Sequence, residues 1–141
     1  MSDLYDEDIL LWSEHQAELL RRLAAGEPVN ERPDWANIIE EVESVGRSDL
    51  SAVQSLLLQA LLHMLKAQAW PGSPCVAGWA AEARLFRAQT RNAFSASMRQ
   101  RLDIGRIYAD ALVAVPANID GQPPQPVAPQ CPMTLDGLLQ V

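Results

Sequence analysis

Two stretches of this sequence carry side chains whose types could do chemistry: glutamates at 41 and 43, and a histidine and a lysine at 63 and 66. Glutamates and a histidine can bind a divalent metal ion, or exchange protons near neutral pH. Glu41, Glu43, His63 and Lys66 are therefore the candidate catalytic residues of a metal- or acid/base-dependent hydrolase. The same groups would also satisfy one another inside a helical protein, because buried polar atoms need hydrogen-bond partners. The sequence favours this structural role and leaves the hydrolase as the alternative.

A polar strip runs along an otherwise apolar segment and contains the histidine and the lysine. Ser55, Gln59, His63 and Lys66 are spaced by four, four and three residues, which places them on one line of a helix. If the chain reverses at residues 46–48, we expect at least one contact between the glutamates and this strip. If the helix is continuous there, that pairing is excluded, and the strip must meet another helix or a second subunit.

Common catalytic and metal-binding motifs are missing from the sequence. It contains no GxGxxG, GxxxxGK[ST], HExxH or GxSxG pattern. Two histidines cannot supply a three-histidine metal site, and two cysteines are too few for a cysteine zinc site. We assign no metal and no cofactor.

A third class of function is suggested by Arg84, Arg87 and Arg91, which share one side of a predicted helix and could grip phosphates. This would support weak nucleic-acid binding. The formal charge of the chain is −7, however, and residues 1–46 alone carry twelve acidic and three basic residues. Such a field repels polyanions, so we expect no nucleic-acid partner.

The spacing of apolar residues defines the elements that would position these groups. It predicts helices over residues 7–25, 34–46, 49–70, 77–94 and 98–115, and a short helix over 134–140. Gly46 should end or bend the second helix, and one long bent helix is the alternative. The apolar stripe of that second helix is formed by Trp35, Ile38, Ile39, Val42 and Val45, and we expect the tryptophans at the core or its edge.

Residues 49–70 are apolar on nearly every side, which is typical of a helix at the centre of a bundle. No segment alternates apolar and polar residues as a strand would. Residues 116–133 are rich in proline and read as an extended connector, after which we expect Leu135, Leu138 and Leu139 to dock on the bundle. The prediction is an all-α, single-domain helical bundle over residues 1–141, with four to five main helices and a short C-terminal helix.

The composition fits a folded soluble protein. The chain has 141 residues, of which 48% are hydrophobic, and this excludes an intrinsically disordered chain. The acidic start does not resemble an export signal, and the longest apolar stretch is shorter than a membrane span. We expect a cytoplasmic protein without a membrane partner.

Four blocks of residues carry a resemblance to a known family. They are Tyr5-Asp6-Glu7-Asp8 with Trp12, Gln16-Ala17 and Leu19-Leu20-Arg21; Asp34-Trp35 with residues 40–48; residues 61–66; and residues 131–135 with Leu138-Leu139. In this order they resemble the domain-of-unknown-function family numbered 29, a bacterial family common in cyanobacteria and proteobacteria. The resemblance implies a helical fold and a bacterial cytoplasmic protein, and it implies no reaction. It marks as motif positions Glu40, Glu41, Glu43, Gly46, Arg47, His63 and Lys66.

The sequence therefore does not specify an activity. The function it favours is a non-enzymatic cytoplasmic helical module that binds another protein or self-associates. The hydrolase and weak nucleic-acid binding are the second and third possibilities.

Overall fold

A computed structural model of the chain describes residues 3–141, which form two compact units divided between Arg47 and Ser48. The described residues contain helices α1 (Leu4–Glu7), α2 (Ile9–Ala24), α3 (Trp35–Ala69), α4 (Val76–Ala93), α5 (Ile104–Ala114) and α6 (Leu135–Leu139), and a 3₁₀ helix (Ala96–Arg101) between α4 and α5. No strand is found between residues 3 and 141, where a single isolated bridge joins Ile119 and Gln122. The prediction of an all-α fold is confirmed.

The helix predicted over residues 7–25 is found as α2, and a short helix that the sequence analysis did not predict, α1, precedes it. Asp8 ends α1 in a non-helical conformation, and its side chain accepts a hydrogen bond from the backbone N–H of Leu11 to start α2. An aspartate that caps the next helix cannot also continue the previous one, because a capping residue lies outside the helical region of backbone space. This explains why α1 and α2 are separated at Asp8.

Helix α3 is uninterrupted from Trp35 to Ala69, so the single long helix is the correct alternative and the separate helices 34–46 and 49–70 are wrong. Gly46 lies inside α3 and has open space around it. A glycine there costs only about 1 kcal/mol relative to alanine, and helices on both sides of it propagate through that position.

The second part of α3 is the centre of the core of the C-terminal unit, as predicted. Val53, Leu57, Leu61 and Leu65 are at most 2% exposed. They pack with apolar side chains from the 3₁₀ helix, α5 and α6, which are Met98, Ile107, Tyr108, Ala111 and Leu138. Leu61 and its neighbours therefore hold this unit together by burial of apolar surface.

The predicted fifth helix over residues 98–115 is instead two elements. The 3₁₀ helix ends at Arg101, and Asp103 then caps α5 by accepting a hydrogen bond from the N–H of Arg106. As at Asp8, an aspartate used as a cap sets a helix start that apolar spacing alone does not reveal.

The proline-rich segment lies along the C-terminal unit and is tied to it by hydrogen bonds. The indole N–H of Trp70 donates to the carbonyl of Gln122 at 2.9 Å, and the Tyr108 hydroxyl donates to the carbonyl of Ala128 at 2.6 Å. Thr134 caps α6, whose Leu138 is fully buried. The predicted docking of the C-terminal helix is thus observed.

Helix α3 is long and apolar enough to cross a membrane by length and composition, with an 18-residue window of mean hydropathy 1.2. The core helix of a soluble protein passes the same test. Because α3 supplies the central buried side chains of the C-terminal unit, this finding is compatible with a soluble protein.

Candidate functional site

Glu41 lies in the first part of α3 and is engaged within the N-terminal unit. The Tyr5 hydroxyl donates to Glu41 Oε1 at 2.5 Å, and the Ser44 hydroxyl donates to Oε2 at 3.3 Å. The hydrogen bond to this carboxylate, followed by burial and by the charge of Glu41, raises the pKa of Tyr5 to about 12. Glu41 therefore acts as the acceptor of a contact between elements.

A second polar network joins α2 to the start of α3. The indole N–H of Trp12 donates to Asp34 Oδ2 at 3.0 Å, and Gln16 accepts a hydrogen bond from the backbone N–H of Asp34 at 2.7 Å. Hydrogen bonds from the Asn37 side chain and from Trp12 lower the pKa of Asp34. The carboxylate of Asp34 is thus held as an anion where the two helices meet.

These contacts show that the inward side of the first part of α3 is mostly polar. The half-buried residues there are Asp34, Asn37, Ile38, Glu41 and Ser44. Their spacing of three and four residues places them on one side of the helix.

Four of the five residues of the predicted apolar stripe are exposed to solvent, and only Ile38 is half-buried. This correction to the sequence analysis matters most for function. Trp35 is 42% exposed, Ile39 55%, Val42 68% and Val45 63%. We call these four residues the apolar face of α3. Trp35 was expected at the core or its edge, but the tyrosine and tryptophan donors of α1 and α2 pair with carboxylates and turn the polar side of α3 inward.

Glu43 takes part in an exposed cluster with Arg47. The Arg47 guanidinium lies 2.6 Å from Glu40 Oε1 and 3.8 Å from Glu43 Oε2, and all three side chains are more than half exposed. Exposed ion pairs contribute about 0–1 kcal/mol, because water screens them.

His63 and Lys66 lie in the last part of α3 and face α4. His63 Nε2 is 2.6 Å from Glu82 Oε2, and its Nδ1 is 2.7 Å from the carbonyl oxygen of Gln59. The Lys66 ammonium lies 5.2 Å from the centre of the Trp79 ring, within range of a cation–π interaction. The polar strip therefore meets another helix.

The four candidate catalytic residues do not form one cluster. Glu41 and His63 are 22 positions apart on one continuous helix. The expected contact of Glu41 or Glu43 with His63 or Lys66 is wrong, because it required the chain to reverse near Gly46. Within residues 3–141, no group of three histidine, cysteine, aspartate or glutamate side chains could hold a metal ion.

Two open grooves of about 390 and 380 Å³ lie in the C-terminal unit. The first is lined mainly by polar side chains of α3 and α5, and the second by the loop after α3 and the turn at residues 119–122. Neither groove is lined by any of the four candidate catalytic residues.

The arginines predicted to grip phosphates are largely committed to the C-terminal helix. The Arg87 guanidinium donates to the carbonyls of Leu138, Gly137 and Gln140 at 2.9–3.0 Å, and Arg91 donates to the carbonyl of Val141 at 2.8 Å. Cations at the C-terminal end of a helix satisfy its last carbonyl groups. The carbonyl partners of Arg87 and Arg91 could not be read from the sequence. The absence of a nucleic-acid partner stays a prediction.

Comparison with models of protein families identifies the family of this chain. Residues 4–141 match the profile of the family described as a domain of unknown function, DUF29. The chain belongs to DUF29. The resemblance found from the four sequence blocks is therefore confirmed.

The fold of this DUF29 chain is similar to a solved structure. An alpha-helical protein of unknown function from Rhodospirillum rubrum ATCC 11170 is 26% identical, with a TM-score of 0.61. The match covers 99% of this chain and 91% of that one. No curated protein sequence matches the chain.

The charged residues that the resemblance marks as motif positions have definite partners in this chain. Glu41 pairs with Tyr5, Arg47 bridges Glu40 and Glu43, His63 pairs with Glu82, and Lys66 lies over Trp79. Each of these contacts joins elements or neighbouring turns within one unit, which is what a structural role requires.

Proposed function

We propose that this DUF29 chain is a non-enzymatic, cytoplasmic helical protein-interaction module and that the apolar face of α3 is its binding surface. The observation that carries the proposal is the exposure of Trp35, Ile39, Val42 and Val45 on the first part of a helix whose half-buried side there is mostly polar.

The apolar face is continuous along the helix. Its members are spaced by four, three and three residues, so neighbours touch on the helix surface, and they extend over about 15 Å. Contiguous apolar surface of this kind marks interaction sites in soluble proteins, whereas single exposed apolar residues do not.

Most of the exposed large hydrophobic residues lie in the N-terminal unit. Among residues 3–141, eleven large hydrophobic residues are exposed, and eight of them lie before residue 48. Burying a side chain such as valine or isoleucine contributes about 1.5–3 kcal/mol, so a partner that covers the apolar face gains substantial free energy.

The hydrolase alternative receives no comparable support. It needs Glu41, Glu43, His63 and Lys66 to converge on a substrate, whereas each has a separate partner within its own unit. The contacts of these four residues favour the non-enzymatic proposal.

The proposal is tested by the apparent size of the tagged chain in extracts of the cells that produce it naturally. Wild-type protein should elute in size-exclusion chromatography well above the mass of one chain, and Val42→Asp should elute as a single chain. The matched control is Val113→Asp, because Val113 is 86% exposed on α5 and lies outside the apolar face. Elution of the wild-type chain as a monomer, or loss of the large species in both variants, would contradict the proposal.

A further inference from the structure

We propose that the occupant of the apolar face is a cationic amphipathic helix of a partner protein. This inference rests on the proposed function and adds the chemistry of the partner. It follows from the charge that surrounds the apolar face and from the dimensions of that face.

The N-terminal unit has a strong excess of negative charge. Up to Arg47 the chain contains twelve acidic and four basic residues, a balance of −8. Arg21, Arg22 and Arg47 are already paired with glutamates inside this unit. Its own cations therefore cannot neutralise the remaining carboxylates.

Glu43 is an acidic residue of α3 beside the apolar face, and with Glu40 and Arg47 it forms a cluster that has two carboxylates and one guanidinium. Glu43 follows Val42 directly and lies about 100° further around the helix, where it is 63% exposed. At physiological salt, charges interact over about 8 Å, which is less than the length of the face. A ligand bound to the face therefore interacts with nearby charges more than with the rest of the chain. A positively charged ligand lying along the face is therefore attracted by the local negative charge.

A second copy of this chain fits the face poorly. In a contact between two N-terminal units, each unit would carry a net charge of −8. Like charges that face each other at an interface cost several kcal/mol. A helix with lysine or arginine on both sides of its apolar stripe has the opposite, complementary charge. Charge complementarity therefore selects the cationic partner over self-association.

The geometry selects a helical ligand. The face is formed by residues at i, i+4, i+7 and i+10 of one helix, which is the pattern that an amphipathic helix meets with its own apolar stripe. About three turns of the partner helix would span it.

The test uses the purified full chain and a fluorescently labelled amphipathic peptide of about 14 residues, with leucines on one side and lysines on the other. Fluorescence anisotropy should show binding that weakens as salt is raised. Val42→Asp should weaken binding about tenfold or more, because burying a carboxylate against the apolar stripe of the peptide costs more than its attraction to the lysines returns, and Val113→Asp should not change it. Glu43→Gln should weaken binding less than Val42→Asp and reduce the dependence on salt.

Two control peptides separate the contributions. A scrambled peptide of the same composition keeps the charge and loses the apolar stripe, and a version with glutamate in place of lysine keeps the stripe and reverses the charge. Both should bind at least about tenfold more weakly than the cationic amphipathic peptide. Equal binding of the scrambled peptide would overturn the inference, because it would reduce the interaction to unspecific charge attraction.

Other occupants give different results. Tight binding of the glutamate peptide, binding to uncharged phosphatidylcholine vesicles in place of the cationic peptide, or a concentration-dependent dimer that Val42→Asp abolishes would each overturn the cationic partner. The first and the last would leave the proposed function standing, since the apolar face would still bind protein. If none of these ligands binds and the wild-type chain is monomeric in cell extracts, both the inference and the proposed function fail.

Discussion

The hydroxyl of Tyr5 donates to Glu41 at 2.5 Å, and this contact links α1 to the first part of α3. A hydroxyl that donates to a carboxylate forms a short, strong hydrogen bond. With Glu41 drawn inward, Val42, which lies about 100° further around α3, is exposed to solvent. The polar contact and the exposed apolar face are two consequences of one helix orientation.

The Tyr5–Glu41 contact predicts an unusual alkaline titration. Tyr5 should ionise near pH 12 in the folded protein, against an ordinary pKa of 10.0. Because the folded pKa is raised, the stabilisation from this contact is complete below about pH 10 and is lost as the pH rises from there through 12.

Ultraviolet absorbance of the phenolate measures this titration. Burial also raises the pKa of Tyr108, the other tyrosine, so the difference between wild type and Tyr5→Phe isolates Tyr5. A Tyr5 component that ionises near pH 10 would show that the hydrogen bond to Glu41 is absent in solution.

A second prediction contrasts two apolar side chains of α3. Leu61→Ala should lower the free energy of unfolding by about 2–5 kcal/mol, because Leu61 is 2% exposed and its truncation leaves a cavity. Val42→Ala should change it by less than about 0.5 kcal/mol, because Val42 is exposed. Urea denaturation of both variants measures the two values, and similar losses would mean that Val42 is part of a core.

A third prediction concerns the C-terminal helix. Arg87→Ala removes three hydrogen bonds from a charged donor to α6 and should cost about 1.5–3 kcal/mol. Deleting residues 131–141 should lower the melting temperature further, because it also uncovers the site of Leu138. Arg87→Lys is the matched control and should recover only part of the loss, since an ammonium cannot reach three carbonyls as a guanidinium does. An unchanged melting curve for the deletion would contradict the docking of α6.

A fourth prediction separates folding from metal chemistry at His63. His63→Ala should cost about 1–2 kcal/mol, through the loss of its contact with Phe86 and its pairing with Glu82. Zinc titrated into the wild-type and His63→Ala proteins should show no specific site in either. Tight zinc binding that disappears in the variant without a loss of stability would support the hydrolase alternative instead.

Much of the fold could be predicted from the sequence, because the spacing of apolar residues in the C-terminal core indicates directly which side chains are buried. Leu57 and Leu61 lie on a helix that is apolar on nearly every side, and such a helix has few alternatives to the centre of a core. Thr134 likewise marks the start of α6 by its side chain type.

The candidate site could not be predicted, for two physical reasons. Gly46 lowers helix propensity by an amount that continuous hydrogen bonding on both sides overcomes, so the chain does not reverse there and Glu41 never meets His63. Apolar periodicity also assumes that apolar side chains point inward. At Val42 that assumption fails, because donors on α1 and α2 pair with Asp34 and Glu41 on the polar side of α3.

The most direct measurement of the central claim is cross-linking from the apolar face in living cells. A photoreactive amino acid placed at Val42 should give a discrete adduct larger than the chain, and Val45→Asp in the same protein should abolish it. The same amino acid placed at Val113, which is more exposed, should give no such adduct. Absence of an adduct at Val42, or the same adducts from both positions, would contradict the claim that this face binds a protein partner.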